Sequence, residues 1–199
     1  MTTIPTENEI KIDEWEEEDR DQVVRIVTIT GAKMRKGNPD NQKQKLVHWR
    51  CGLAYSIIQP DDENTATTGW RSVTLDTFKS DEKNPDVTIE MVTKKFLISS
   101  NAPGLMYFNP VKTFTTTDIY NWLQEKRFHR YRYDENGSGC GFWTWTVISA
   151  LEADGFIVEG SGASCKKEFD RVRENPTCWV PYDQGTFYEI EGASSSASS

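Results

Sequence analysis

The stretch GSGCGFWTWTVISALEADG, residues 137–155, places a cysteine between two glycines at the start of a largely apolar run. The run predicts a buried helix that begins near Cys140, and Gly155 is a residue type that often follows the end of a helix. A thiol at a helix N-terminus meets unpaired backbone N–H groups and the positive end of the helix dipole. Both lower the pKa of a thiol, so the position predicts a reactive cysteine.

The segments upstream of this helix are rich in β-branched residues, which are typical of strands. Strands are predicted at 23–30, 46–58, 70–78 and 87–99, and a polar loop is predicted over 31–45. Two further helices are predicted at 115–128 and 164–173, with Thr117 and Ser164 as their capping residues. The pattern is typical of an α+β fold in which a mostly antiparallel sheet is packed by helices.

Charge and composition divide the chain into three parts. Residues 1–21 hold nine acidic residues and two basic ones, which accounts for most of the net charge of −8 and predicts an acidic flexible arm. Residues 22–191 are predicted to form a single catalytic domain. The serine-rich residues 192–199 are predicted to form a disordered tail.

The bulk composition excludes several classes of protein. Hydrophobic residues make up 36% and aromatic residues 12% of the 199 residues, which is enough for a packed core. No apolar run reaches the length of a membrane span and no secretory signal is visible, so we expect a cytoplasmic protein with no membrane partner. The four cysteines lack CxxC spacing, and phosphate or dinucleotide motifs are absent, so neither a metal nor a cofactor is predicted.

A cysteine nucleophile needs a base within hydrogen-bonding reach, and the chain has two histidines. His129 lies in the basic sequence EKRFHRYRY and is expected at the surface. His48 lies within the predicted strand LVHWRCGLAYSII, where a histidine is unusual. We therefore predict Cys140 as the nucleophile and His48 as its base, facing each other across a strand–helix contact.

The order of these motifs resembles the circularly permuted branch of the papain-like superfamily, which includes the lecithin:retinol acyltransferase-like proteins. The resemblance covers roughly residues 46–155 and implies a Cys at a helix N-terminus and a His on a strand. It also implies a third polar group on the next strand, where WRSVTLDTF offers the three candidates Asp76, Thr74 and Ser72. Asp76 is preferred because a carboxylate best fixes the imidazole tautomer. The chain lacks that family's Asn-Cys-Glu motif, which leaves the substrate open.

A second resemblance covers most of the chain, from Val23 to Ile190. The run YRYDENGSGCGFWTWTVISALEADGFI and the ending GTFYEI resemble a group of small fungal proteins and, through them, the fungal arginine-containing cyclodipeptide synthases. The resemblance implies a biosynthetic enzyme that takes aminoacyl groups from aminoacyl-tRNA. A cysteine thioester would hold one aminoacyl group until a second amino group attacks it.

This second resemblance also implies sites for an arginyl group and for tRNA. An acidic pocket for arginine would be supplied by Glu90, Asp76 or Glu189. Trp143, beside Phe142 and Trp145, would bind substrate and keep water from the thioester. Phosphate contacts are predicted for the basic cluster Lys126, Arg127, Arg130 and Arg132.

Three other functions stay open at this point. The same Cys–His pair would serve a thiol hydrolase, a peptidase or an amidase. The aromatic residues would serve a non-covalent cyclase that shapes a polyketide or terpenoid intermediate. Cys140 would be a plain core residue in a binding module. The aromatic residues beside Cys140 favour transfer, because a transferase must exclude water from its thioester.

Overall fold

A computed structural model of the chain describes residues 10–60, 66–79, 86–97, 102–182 and 184–188. Its strands are β1 (Ile10–Lys11), β2 (Ile26–Asn38), β3 (Asn41–Pro60), β4 (Ala66–Lys79), β5 (Val87–Lys94), β6 (Gly104–Phe108), β7 (Tyr131–Arg132), β8 (Cys178–Trp179) and β9 (Thr186–Phe187). Its helices are α1 (Thr116–Glu125), α2 (Cys140–Ala153) and α3 (Ser161–Arg173). A single 3-10 turn covers Glu17–Asp19.

The main sheet has the strand order β1-β5-β4-β3-β2-β6, and β8 adds to β3. The pairs β2–β3, β3–β4, β4–β5 and β2–β6 are antiparallel, whereas β1–β5 and β3–β8 are parallel. Strands β7 and β9 form a separate antiparallel pair. The prediction of an α+β fold with a mostly antiparallel sheet and helices is confirmed.

Helix α2 forms the centre of the helical layer, packed against β3 and α3. Its buried side chains include Trp143, Val147, Ile148 and Leu151, which recur at helical spacing. They belong to one hydrophobic core that extends from Ile10 to Val180. The apolar run that follows Cys140 is therefore the helix that covers the sheet.

Residues 31–45, predicted as a polar loop, instead form the outer part of a long β2–β3 hairpin. The pairing continues through Lys33 with Val47 and Gly37 with Lys45 to Asn38 with Asn41. Most of the side chains beyond Ala32 are exposed or half-buried, so this part of the hairpin lacks the apolar alternation that marks a strand in sequence. In the sequence, the recognisable turn signal of this segment lies at the tip of the hairpin, beside Pro39.

The acidic N-terminal segment is folded onto the body from residue 10 onward. Strand β1 pairs with β5, and the indole of Trp15 is buried. Arg71 of β4 donates to the carboxylates of Glu16, Glu18 and Asp19. The expectation of a flexible arm over 1–21 is thus corrected for residues 10–21, because an arginine distant in sequence offsets the acidic charge. Residues 1–9 and the predicted tail 192–199 lie outside the described residues.

The helix caps differ from the predicted ones by a few residues. Thr115, not Thr117, caps α1, in a capping box with Asp118. Helix α3 begins at Ser161, before the predicted cap Ser164, because the carboxylate of Glu152 accepts from the N–H groups of Gly160 and Gly162. A side chain of α2 therefore caps the next helix.

Candidate active site

The candidate site lies where β3 and β4 cease to pair. Their antiparallel pairing runs from Pro60 with Ala66 to Cys51 with Leu75 and ends there. Beyond this point β3 continues beside β2 and β8, while β4 continues beside β5. The backbone groups that would have paired next, on Trp49 and Thr77, have other partners.

Two segments from outside the sheet supply those partners. The backbone N–H of Trp49 donates to the thiol sulfur of Cys140. The hydroxyl of Tyr133 donates to the carbonyl of Thr77 at 2.8 Å, and the Thr77 hydroxyl donates to the Tyr133 oxygen at 2.8 Å. Cys140 therefore lies on the β3 side of the gap and Tyr133 on the β4 side.

The start of α2 holds Cys140 in a fixed orientation. Gly139, the N-cap residue, has φ 145°, a conformation that favours glycine. Its carbonyl accepts from the buried hydroxyl of Tyr131 at 2.9 Å and from the backbone N–H of Trp143 at 3.0 Å. The Tyr131 oxygen in turn accepts from the N–H of Gly185 at 3.0 Å. The turn that carries Cys140 is thus hydrogen-bonded to β7 and, through Tyr131, to the segment before β9.

A chain of hydrogen bonds leads from the thiol through His48 to Asp76. The imidazole of His48 is hydrogen-bonded to the Cys140 thiol, and its Nε2 lies 2.5 Å from Oδ1 of Asp76. Because Nε2 faces the carboxylate, Nδ1 is the ring nitrogen left for the sulfur. The other carboxylate oxygen of Asp76 accepts from Nε of Arg50 at 2.5 Å. The structure thereby places the three predicted catalytic residues in contact.

These contacts shift the pKa values of all three groups. Burial alone would lower the pKa of His48, but the neighbouring Cys140 thiolate and the Asp76 carboxylate raise it to about 10. Burial alone would raise the pKa of Cys140, but the charge of His48 and hydrogen bonds from its ring and from Trp49 lower it. The pKa of Asp76 is lowered, against burial, by His48 and Arg50. Each member of the Cys140–His48 pair therefore favours the charged form of the other, beside the Asp76 carboxylate.

Unpaired backbone donors surround the thiol. Within the described part of the chain, the N–H groups of Cys140, Gly141 and Phe142 have no hydrogen-bond partner, as expected for the first turn of a helix. The carbonyl of Gly139 points toward Tyr131, so the N–H of the same trans peptide, that of Cys140, points the opposite way. Such donors are suited to hold an oxyanion next to the sulfur.

Cys140 lies at the floor of a cleft of about 410 Å³ between α2, α3 and the segment 180–182, called the strap below. Cys140 as a whole residue is 9% exposed. The apolar residues that line the cleft are Val47, Trp49, Phe142, Trp145, Phe169, Val180 and Pro181. The polar or charged ones are Ser138, Lys166, Asp170, Arg173, Tyr182 and Gln184.

Arg173 of α3 holds the strap over the cleft. Its guanidinium pairs with Asp170, its Nε donates to the Val180 carbonyl at 3.1 Å, and it stacks on the ring of Tyr182 at 3.6 Å. Tyr182 itself is 77% exposed, so the strap forms the rim between the cleft and solvent.

Two of the predicted substrate-binding residues, Trp143 and Glu90, do not line this cleft. Trp143 is fully buried beneath α2, where its indole N–H donates to the Phe128 carbonyl at 2.9 Å, and this corrects the expectation that it contacts substrate. Residue 143 faces the sheet because it lies three positions after Cys140 on the core side of the helix. Glu90 lines a separate cleft of about 260 Å³, with Arg50, Asp76 and Lys94. Glu189 lies outside the described residues.

The predicted RNA-binding cluster is partly engaged by acidic residues. Lys126 pairs with Asp154 at 2.9 Å, and Arg132 pairs with Asp86 at 2.6 Å. Both cations are more than a third exposed, so these are surface ion pairs that contribute little to stability. Arg127 and Arg130, the other members of the cluster, lie on the same segment after α1. Binding of RNA by this cluster stays a prediction.

Several residues of the site were not found from the sequence. Arg50 follows His48 by two positions on β3 and so shares its side of the strand, a signal that strand alternation carries. The alternating sequence YRY placed Tyr131 and Tyr133 on one side of the chain just before the glycine turn. Lys166 and Gln184 gave no signal, because they reach the cleft only through the packing of α3 and the segment before β9.

The described residues contain no group of three or more His, Cys, Asp or Glu side chains arranged to hold a metal ion. No helix among them is long and apolar enough to cross a membrane.

Comparison with known proteins gave one match. Neither the curated proteins nor the solved structures include one that matches the chain. Residues 27–188 match a domain of unknown function, DUF7770, and this region contains His48, Asp76 and Cys140 together with the whole cleft. The match spans most of the chain, which therefore belongs to the DUF7770 family.

Proposed function

We propose that the protein is a cysteine-dependent acyltransferase. Cys140 would attack the carbonyl carbon of an acyl donor and hold the acyl group as a thioester until an acceptor takes it. The observation that carries this proposal is the hydrogen-bonded chain from Cys140 through His48 to Asp76, at the floor of a cleft. A nucleophile, a base and a group that orients the base are the parts that covalent acyl transfer needs.

In the first step, the Cys140 thiolate forms a bond to the carbonyl carbon of the donor. The resulting oxyanion is stabilised by the free N–H of Cys140 and its neighbours at the start of α2. The His48 imidazolium gives its proton to the leaving group as the bond to that group breaks. The products are a thioester on Cys140, the protonated leaving group and a neutral imidazole.

In the second step, neutral His48 removes a proton from the acceptor as the acceptor attacks the thioester carbonyl. The C–S bond then breaks and restores the thiolate beside a protonated imidazole, so the proton balance is closed. Asp76 keeps the ring in the orientation in which Nδ1 faces the sulfur throughout. Asp76 is itself held by Arg50, which neutralises its charge.

The proposal includes a permuted papain-like arrangement. The base lies on β3, its carboxylate partner on the next strand β4, and the nucleophile at the start of a later helix. This chain order supports the resemblance drawn from the sequence. The narrower form of the proposal, arginine-containing cyclodipeptide synthesis from aminoacyl-tRNA, would use an amino group as the acceptor in the second step.

Hydrolysis is the second candidate function. It shares the first step and uses water as the acceptor in the second. The observation in its favour is that the cleft opens to solvent beside the exposed Tyr182 of the strap. Transfer is favoured by the apolar walls next to the sulfur, formed by Trp49, Phe142 and Trp145, because they limit the access of water.

The test is to trap the thioester. The purified protein would be incubated with aryl thioesters of different acyl groups and analysed by intact-mass spectrometry, with and without an added amine. We expect one acyl adduct that hydroxylamine removes, that is absent in Cys140→Ala and that is present in the matched variant Cys51→Ala. Amide product formed faster than free acid would identify a transferase, and free acid alone would identify a hydrolase. An adduct retained in Cys140→Ala would exclude the proposal.

A further inference from the structure

The charged residues of the cleft lie on one face of α3. Lys166, Asp170 and Arg173 follow each other at helical spacing there. Asp170 and Arg173 pair with each other, and Arg173 also binds the strap. Lys166 is exposed, and its ammonium group has no hydrogen-bond or ion-pair partner within the described part of the chain.

Lys166 is consequently the unbalanced charge among the described residues that line the cleft. In the site itself Cys140 and His48 are neutral as a pair whichever of them holds the shared proton, and the carboxylate of Asp76 offsets the guanidinium of Arg50. The unpaired N–H groups at the start of α2 add positive potential next to the sulfur. The charges of the described residues that line the cleft thus sum to a positive value, although the chain carries a net charge of −8.

Among the described residues that line this cleft, no carboxylate is left unpaired to bind a cationic substrate group. Asp170 is the acidic residue among the described residues that line it, and Arg173 already occupies its carboxylate. Glu90 lines a different cleft. This distribution of charge disfavours an arginyl group in the cleft.

The walls of the cleft are suited to an apolar body. Trp49 and Phe169 pack with ring centroids 4.1 Å apart at its floor, and Phe142 and Trp145 line the α2 side. Aromatic walls of this kind bury an aliphatic or aromatic group, while one charged side chain fixes its orientation.

We propose that the cleft takes an acyl substrate that has an apolar body and an anionic group, and that Lys166 selects the charge. This rests on the proposed function in one respect, since it takes the cleft above Cys140 as the acyl-binding site. Lys166 acts on specificity and takes no part in the bond-making steps.

The test uses three compounds with one apolar body and different charge: phenylbutyrate, phenylbutyramide and phenylbutylamine. Each would be measured for protection of Cys140 against alkylation by iodoacetamide, followed by peptide mass spectrometry. We expect protection to be strongest for the carboxylate, weaker for the amide and weakest for the amine. One charge–charge contact at the surface predicts a gap of about fivefold between carboxylate and amide, and the gap should shrink as salt is added.

The matched pair of variants is Lys166→Ala and Lys167→Ala. Lys167 is the next residue on α3, is equally exposed and does not line the cleft. Lys166→Ala should remove the gap between carboxylate and amide while leaving protection by the amide unchanged, and Lys167→Ala should keep the gap. Strongest protection by the amine, or equal protection by all three compounds in the wild-type protein, would overturn the proposal. Because the readout is occupancy of the cleft, a failure to turn over thioesters would reject the proposed function and leave this result standing.

Discussion

Two buried cysteines, Cys51 and Cys140, have thiol pKa values that are shifted in opposite directions. Cys51 lies on β3 where that strand is paired on both sides, with Ile29 on β2 and with Leu75 on β4. Burial raises the pKa of its thiol to about 12. Cys140 is also buried, yet its pKa is lowered, because His48 and the backbone N–H of Trp49 contact its sulfur.

The difference comes from the end of a strand pairing rather than from burial. Along β3 from Pro60 toward its N-terminus, Cys51 is the last residue that pairs with β4. The N–H that donates to the sulfur of Cys140 belongs to Trp49, two residues beyond Cys51. A fully paired sheet has no backbone N–H to offer and no space for an imidazole next to a thiol. The separation of β3 from β4 thus makes room for the contacts that lower the pKa of the Cys140 thiol.

The sharpest test of the comparison is alkylation of the two thiols. In the folded protein at neutral pH, iodoacetamide should modify Cys140 and leave Cys51 unmodified, because the Cys140 thiol has a lowered pKa and lines the cleft, whereas burial raises the pKa of the Cys51 thiol. Peptide mass spectrometry after timed quenching would measure the two rates, and we expect them to differ by at least about 100-fold. Cys140→Ala should abolish fast labelling and Cys51→Ala should retain it. Equal rates for both cysteines would contradict the comparison.

Replacement of His48 should make Cys140 resemble Cys51. Without the imidazole, only the Trp49 N–H and the start of the helix oppose the effect of burial on the Cys140 thiol, so its pKa should rise and its reaction with iodoacetamide should slow by about 100-fold or more. His48→Asn keeps a polar side chain of similar size, and the ultraviolet absorbance of the thiolate as a function of pH would report the pKa. His129→Asn, which alters the other histidine, should leave both readouts unchanged. A low thiol pKa that persists in His48→Asn would assign the effect to the helix start and the Trp49 N–H, without His48.

Asp76→Asn should give a smaller effect, seen chiefly in the pH profile. The reactive pair forms as pH rises through the lowered pKa of Cys140 and is lost as pH rises through the pKa of His48, about 10. The Asp76 carboxylate raises that His48 pKa, so its removal should move the alkaline limb of the rate profile to lower pH. Alkylation by iodoacetate, whose negative charge the imidazolium attracts, would show the shift when its rate is measured across the pH range, with Thr74→Ala as a control that keeps the wild-type profile. An unchanged alkaline limb in Asp76→Asn would remove Asp76 from the site.

Tyr133→Phe should give the smallest effect, and on stability. It removes the hydroxyl that satisfies the Thr77 carbonyl at the point where the strands separate, and it leaves a buried acceptor unpaired. The free energy of unfolding should fall by about 1–3 kcal/mol in urea denaturation. Tyr107→Phe alters an exposed tyrosine on β6 and should stay within about 0.5 kcal/mol of wild type. A loss of unfolding free energy no greater than that of Tyr107→Phe would show that the separation of β3 from β4 does not depend on the Tyr133 hydroxyl.

The sequence predicted the parts of this site that depend on local pattern. The apolar run after Cys140 and the β-branched segments determined α2 and the strands, and these in turn determined the coarse fold. The unusual position of His48 on a strand was visible for the same reason.

The separation of β3 from β4 was not predictable. The residues on both sides of Cys51 have similar strand character, and the pairing ends because Cys140 and Tyr133 arrive from a distant segment. The folded state of residues 10–21 was missed for a similar reason, since Arg71 binds them from far along the chain. Interactions between distant segments leave no periodic signal in either segment.

The position of Cys140 in chain order has a consequence for synthesis. During translation, the strands that carry His48 and Asp76 leave the ribosome before α2, so an incomplete chain has the base without the thiol. Before α2 packs, the thiol of Cys140 has an ordinary pKa of about 8.5 and is mostly protonated at neutral pH. The contacts that lower the pKa of this thiol therefore form only when the chain has folded, and a newly made chain carries an ordinary thiol until then.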